Sequence, residues 1–392
     1  MDIYLSSIDW KKLEHAYGSA RDVPGLLKKL SSQNDAVLDK IWWKLYGNIY
    51  HQGTVFEATA YAVPYLIYLL QQDKTRKKHS ILIYLNHLFH GTSYHDVHQS
   101  LFEDDAATED YQNEIIKELE WVGNVKKAVI DGETLYRGFL NSSVEQERMA
   151  AIDLLASLAA DDRSLLEELI QKCIQIDDSS EKALLLYLLG KYSSLDERIL
   201  PLLYDGLNTA SYPLTRFCSA CCLAYIEKEH APDAACTVLA KACVEADPEM
   251  DQEWQSMPFQ PMKLIFNAIF FLSFMGKKAK EVIPYLLKSE ILGWAGIEGY
   301  GNYLLSIVFD DKPCPQGKLF SDFDVYQKMV LKRFADVESL WFSEKCINDT
   351  VQRVNNGNTS RIIGEFAFPN TYDSFRNFVY KTMRNEESLN DQ

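Results

Sequence analysis

The sequence predicts an all-α protein, a right-handed α-solenoid of helical hairpins, and three observations carry that expectation. Apolar residues recur at helical spacing, most plainly at Phe56, Ala60, Val63, Leu66, Ile67 and Leu70, the i, i+3, i+4, i+7 pattern of a one-faced helix. An aliphatic-Pro-x-Leu signal returns along the chain: Val23-Pro24, then Val63-Pro64 40 residues later, Leu200-Pro201, and Ile283-Pro284 a further 83 residues on. One unit of about 40 to 47 residues is the length of a paired-helix repeat. The third observation is length. At 392 residues the chain exceeds the roughly 250 to 300 residues at which one compact core stops growing, so it must divide or extend as an array.

Taken in order, residues 1–21 read as an irregular arm with a helical turn around Trp10 to Tyr17. The first repeat helix is expected to start at Asp22 as N-cap, with Pro24 in the first turn, where its missing N–H costs nothing. Trp42 to Leu70 reads as a helix ending near Tyr50, a turn at His51-Gln52-Gly53, and a second helix. The stretch 91–110, GTSYHDVHQSLFEDDAATED, is polar and rich in turn formers and is expected as an inserted, partly ordered loop. Arg148 to Leu158 and Arg216 to Ile226 mix Ala, Ser and Cys with Leu and Ile, as closely packed helices need. Lys182 to Gly190 and Lys263 to Met275 are apolar on most sides, as sandwiched helices are. Asp310 to Phe323, with two prolines and a glycine, marks a boundary. The expected division is therefore a solenoid over 1–312 and a helical cap over 313–392, with helices at 325–334 and 374–383, a turn at 355–359 and a disordered tail from 385.

Composition narrows the function. The net charge of −16, from 56 acidic and 40 basic residues, argues against a nucleic-acid partner, whose phosphates call for clustered Lys and Arg. It suits a basic protein partner instead. No apolar run is long enough to span a membrane, and the opening MDIYLSSIDW has neither the basic nor the apolar region of a signal peptide. The eight cysteines sit in helical patterns, so reduced thiols and a cytoplasmic location are expected.

The alternation of Val-Pro-x-Leu-Leu helices with Arg-x-x-Ala-x-x-x-Leu helices resembles HEAT repeats of the short bacterial, phycocyanobilin-lyase-like type. More narrowly, His15-Ala16-Tyr17-Gly18-Ser19-Ala20 with Asp22-Val23-Pro24, and Tyr46-Gly47-Asn48-Ile49-Tyr50-His51-Gln52-Gly53-Thr54 with Ala58-Thr59 and Ala62-Val63-Pro64, look like the N-terminal signature of uncharacterised bacterial HEAT-repeat proteins, over residues 8 to 70. The resemblance implies a HEAT-like superhelix. It leaves function open, because such solenoids host unrelated roles.

The strongest polar signal is His51-Gln52-Gly53-Thr54 with Glu57 and, one turn on, Tyr61. Thr54 and Glu57 have capping-box spacing, and His51 and Gln52 are left as candidate binding residues. His87, His90, His95 and His98 have i, i+3 spacings that a metal could use, but the segment has no cysteine and only sparse acids, and no metal is expected. The C-x-x-C spacing at Cys218 and Cys221, with Cys222, lies within an apolar helix and reads as small core residues rather than a redox pair. Enzymes of the resembled fold find little here. The metal-dependent hydroxylases carry His-Glu dipeptides, and this sequence has none. The HEAT-like DNA glycosylases hold a damaged base between tryptophans in a basic groove; Trp42 and Trp43 are present, but the charge opposes a duplex. No residue specifies a tetrapyrrole or another cofactor, and no nucleotide or hydrolase motif is present. The expectation is a non-enzymatic protein-binding scaffold, in one version an immunity or escort protein for a basic partner. The alternative is a small-molecule or enzymatic groove around His51, Gln52 and Glu57, and a second alternative is nucleic-acid binding of the HEAT-like DNA glycosylase kind.

Overall fold

The computed structural model describes residues 1–101, 106–245, 247–289, 297–315, 317–337, 341 and 361–390. The protein is all-α: 22 α-helices and two minimal β-hairpins among the described residues. The chain divides into two compact units, Met1–Gln171 and Lys172–Gln392.

In the first unit the helices are α1 (Asp2–Ser7), α2 (Val23–Lys29), α3 (Asp35–Asn48), α4 (Glu57–Leu70), α5 (Lys78–Phe89), α6 (Tyr94–Val97), α7 (Glu109–Ile130), α8 (Glu133–Phe139) and α9 (Glu145–Leu158), with α10 (Arg163–Gln175) running through the division. The short hairpins are β1–β2 (Glu14–His15, Gly18–Ser19) and β3–β4 (Tyr50–His51, Thr54–Val55). The opening arm is thus a helix and a β-hairpin, where an irregular segment was expected. Helix α4 packs on α2, α5 and α7, and α5 packs on α9. Of its expected stripe Val63, Leu66 and Leu70 are buried, while Phe56, Ala60 and Ile67 are half-buried; the buried face is turned toward Ala58, Ala62 and Leu69. Between α5 and α9 a polar contact sits inside the core: Asn86 Nδ2 donates to Asp153 Oδ2 at 2.8 Å, and both residues are buried.

The proline signal divides in two. Pro24 and Pro284 stand in the first two positions of their helices, as expected, and Pro201 is in the first turn of α12 (Ile199–Thr209). Pro64 instead lies inside α4. There it withholds the N–H that would close the ladder on Ala60, so the 40-residue echo is an echo of sequence and not of position within the helix. Helix α4 begins seven residues earlier than its proline because Phe56 is drawn into an N-cap by the hairpin before it.

In the second unit α11 (Ser180–Leu189) and α12 pack on α13 (Pro213–Glu227), and α13 packs on α14 (Asp233–Val244) and α16 (Leu264–Ser273), with α15 (Pro248–Gln255) between the last two in sequence. The small residues of α13 earn their places by close approach. A Cβ on Gly206 of α12 would stand 2.4 Å from Ser219 Oγ, and one on Gly190 would stand 2.5 Å from Cys222 Sγ. Cys218, Cys221 and Cys222 are therefore buried packing residues, and burial pushes the Cys222 thiol up to about 12. Beside them Trp254 is fully buried and donates its indole N–H to Met262 O at 2.9 Å, the polar handle of a core tryptophan satisfied. Tyr187, Phe217 and Phe259 pack around it.

The remaining helices are α17 (Lys277–Glu281), α18 (Ile283–Leu286), α19 (Asn302–Phe309), α20 (Val325–Asp336), α21 (Arg361–Glu365) and α22 (Tyr372–Asn390). Phe309 packs with Phe323, Phe366 and Phe368, and Cys314 N donates to Phe366 O at 3.0 Å. Residues beyond 313 thus share a core with α19. The last helix extends past its expected end at 383 to Asn390, through most of the expected tail. Residues 391–392 and the expected turn at 355–359 lie outside the described residues.

Candidate functional site

The two β-hairpins of the first unit bring the sequence candidates together. In β3–β4, Tyr50 pairs with Val55 and His51 with Thr54, leaving Gln52 and Gly53 as a two-residue turn. Both take positive φ, 50° and 94°, the signature of a type I′ turn, whose twist matches that of the flanking strands. Glycine adopts that backbone freely, whereas Gln52 does so at a cost. In β1–β2, His15 pairs with Gly18, and among the residues of that turn only Gly18 is at positive φ, 100°.

The expected capping box at Thr54 and Glu57 is not what these residues form. Thr54 is buried and its hydroxyl donates back to His51 O at 2.8 Å, closing the turn. Val55 N donates to Thr92 O at 3.1 Å and Thr92 N to Gly53 O at 2.9 Å, so the strand end is held by a neighbouring segment and cannot enter the helix. The helix start moves on to Phe56, whose N–H is taken by Thr59 Oγ1 at 2.9 Å. Thr59 in turn donates to Ile49 O at 2.6 Å. Glu57 is released for a long-range role: its Oε2 accepts Glu14 N at 3.2 Å, tying β1 to the start of α4. The Gly91–Ser93 part of the expected loop is likewise docked. A Cβ on Gly91 would clash with Val55 at 2.3 Å, and the segment continues into α6.

Sequence reasoning passed over the residue that organises the site. His15 is buried; its Nδ1 accepts Tyr17 N at 3.0 Å and its Nε2 donates to Asp22 Oδ1 at 3.0 Å. Asp22 makes no side-chain cap to α2, contrary to expectation. Its other oxygen accepts Asn48 Nδ2 at 2.8 Å, and Asn48 O accepts Ala16 N at 3.0 Å. The available signal was the echo of His-x-x-Gly-Ser at residues 15–19 and His-x-Gly-Thr at residues 51–54. Beside this closed network lies a solvent-facing one. Tyr17 is 69% exposed and Tyr61 42%; the rings of Tyr17 and His51 meet edge to face at 5.6 Å. Tyr61 O accepts the Tyr4 hydroxyl at 3.0 Å, and Glu14 approaches Lys117 at 4.0 Å.

Chemically, His15 is oriented as a dyad is, yet both ring nitrogens are engaged, so the pair works as a brace and offers no open nitrogen to a reacting group. His51 makes no side-chain hydrogen bond among the described residues. The surface that remains is an aromatic and carboxylate one: Tyr17, Tyr61, His51 and the carboxylates of Glu14 and Glu57.

The other histidines go separate ways. The Tyr46 hydroxyl and His87 Nδ1 share a hydrogen bond at 2.8 Å, and the His87 ring stacks on Tyr50 at 5.9 Å. Burial lowers the His87 pKa and raises that of Tyr46, so the contact is one between neutral groups. His90 Nε2 pairs with Ser157 Oγ at 2.8 Å and His98 Nδ1 with Tyr94 O at 2.8 Å. His95 meets Glu118 twice, through its N–H at 2.9 Å and Nδ1 at 2.7 Å, while Ser93 donates to the same buried carboxylate at 2.6 Å. The i, i+3 spacings therefore do not converge on one point, and no metal-holding group of three such side chains occurs among the described residues. No described helix is long and apolar enough to cross a membrane.

No family model and no curated protein matches the chain. Among solved structures, the crystal structure of an engineered protein from the Northeast Structural Genomics Consortium aligns with 93% of this chain and 98% of its own, at 16% identity and a TM-score of 0.28. A likeness at that score carries no argument about this chain.

Proposed function

We propose that the chain is a HEAT-like right-handed α-solenoid that binds another protein through its concave face, and that the two-hairpin surface of the first unit belongs to that contact. In the second unit the packing of α11 on α13, α13 on α14 and α14 on α16, each next or next but one in sequence, supports the repeat reading, since stacked hairpins bury their cores in that way. The observation that carries the binding reading is the exposure of Tyr17 and Tyr61 on the segments that carry the carboxylates of Glu14 and Glu57. Tyrosines lose little rotamer freedom on contact and dominate interface energetics, and carboxylates suit Lys and Arg of a basic partner. The net charge of −16 steers such a partner from a distance. An immunity or escort role for a basic bacterial protein is the concrete form of this reading.

The test is site-specific photo-crosslinking from position 17 in the source cell, with co-purification alongside. One predominant protein adduct is expected, with recovery of that partner reduced at least about tenfold by the double substitution Tyr17→Ala and Tyr61→Ala. No discrete adduct, or an adduct whose recovery ignores both substitutions, overturns the reading.

A further inference from the structure

We propose that the second unit holds a binding site for a small monocarboxylate with an apolar body. A cavity of about 470 Å³ lies where α13, α14, α15 and α16 meet, within the range of small-ligand pockets. Its apolar side is built by Pro213, Val238, Met250 and Leu264, with Leu264 buried at the base. That surface gives a hydrocarbon or aromatic body somewhere to leave water.

The polar groups of the wall differ in what they have left to offer. The hydroxyl of Ser211 donates to Asp178 Oδ2 at 3.2 Å, and that of Thr237 to Asp233 O at 2.9 Å. Glu245 Oε1 accepts the Tyr285 hydroxyl at 2.8 Å. Asp247 Oδ1 caps α15 by accepting Glu249 N at 2.9 Å. Four of the polar side chains lining the cavity are thus already engaged by the protein itself, Glu245 and Asp247 through one oxygen each.

Two are not. Arg216 donates only its Nε, to Leu207 O at 3.2 Å, which fixes the guanidinium and leaves both Nη groups open. Lys241 Nζ makes no hydrogen bond or ion pair among the described residues. Arg216 and Lys241 are both exposed on the wall, so a ligand reaches them without unfolding. The open donors of the cavity are therefore both cationic, in a chain whose net charge is −16, and they stand beside one further oxygen each of Glu245 and Asp247. A planar carboxylate matches the edge of an oriented guanidinium through two parallel hydrogen bonds. Glu245 and Asp247 stand on the same wall, so a dianion such as phosphate meets more carboxylate repulsion than a ligand of one negative charge does.

The experiment titrates the full-length protein by calorimetry with 4-phenylbutyrate, 4-phenylbutylamine and inorganic phosphate. Saturable binding is expected for 4-phenylbutyrate only, weakened at least about tenfold in Arg216→Gln and measurably in Lys241→Gln, with circular dichroism establishing that each variant stays folded. The substitution Val238→Phe, which fills the apolar side and leaves both cations, should also weaken it. Absence of saturable 4-phenylbutyrate binding overturns the proposal, as does equal binding of the amine or of phosphate, or affinity unchanged in folded Arg216→Gln.

Discussion

His15 and Asp22 are joined at 3.0 Å from Nε2 to Oδ1, and the contact fixes the tautomer, because Tyr17 N already donates to the other ring nitrogen. Long-range nitrogen–proton NMR should show His15 protonated at Nε2 and unprotonated at Nδ1. Asp22→Ala should shift that signature and release Asn48. Since the Asp22 side chain is 48% exposed, the loss of stability by urea unfolding should be modest, about 1 kcal/mol. An unchanged imidazole spectrum in the variant would refute the brace.

The turn at Gln52 and Gly53 makes opposite predictions at adjacent positions. Gly53→Ala places a side chain at φ 94° and should cost about 1 kcal/mol or more. Gln52→Asn puts there the residue that best tolerates left-handed backbone and should raise the melting temperature. Thermal scans of the two variants against the parent read both effects at once, and a shift of the same sign in both would contradict the type I′ assignment.

Close helix approach in the second unit is tested at Gly206. A methyl there meets Ser219 Oγ at 2.4 Å and Leu186 Cδ1 at 2.8 Å, so Gly206→Ala should destabilise by about 1 to 3 kcal/mol. Adding Ser219→Ala removes the nearer clash and should recover part of the loss, a coupling that a double-mutant cycle measures directly. Strict additivity would place the two residues apart.

His87 should make the protein less stable in mild acid. Burial holds its folded-state pKa below the ordinary value of 6.5, so in the window between the two values the unfolded chain binds more protons. Stability is then at its full value above pH 6.5 and declines as pH falls toward the lower folded value. His79, lowered by burial too, adds to the same slope. Urea midpoints measured between pH 7.5 and 5.5 should fall, and fall less in His87→Gln.

The cysteines of α13 should resist alkylation. Burial holds Cys218 and Cys221 well above the ordinary thiol range, and the thiolate is the reactive form. Mass spectrometry after iodoacetamide treatment at neutral pH should find them unmodified in the folded protein and fully modified in denaturant. Rapid native labelling of either would contradict their placement.

What the sequence determined by itself was the helical class and the burial of its faces. The small residues of α13 and part of the α4 stripe, Val63, Leu66 and Leu70, are local periodic signals, and a 3.6-residue period reports much of its own buried side without reference to the rest of the chain. Tertiary structure decided the site. Thr54 and Glu57 have the spacing of a cap, a purely local inference, but Thr92 holds the end of their strand and Glu14, 43 residues away, takes the Glu57 carboxylate. Asp22 stands where a cap belongs and instead joins His15 to Asn48. A short polar side chain satisfies whichever donor the fold brings nearest, and here the nearest donors come from distant stretches of the chain. His51 and Gln52 show the same division: their turn is written in the Gln-Gly pair, while the placing of His51 against Tyr17 came only when two hairpins were folded side by side.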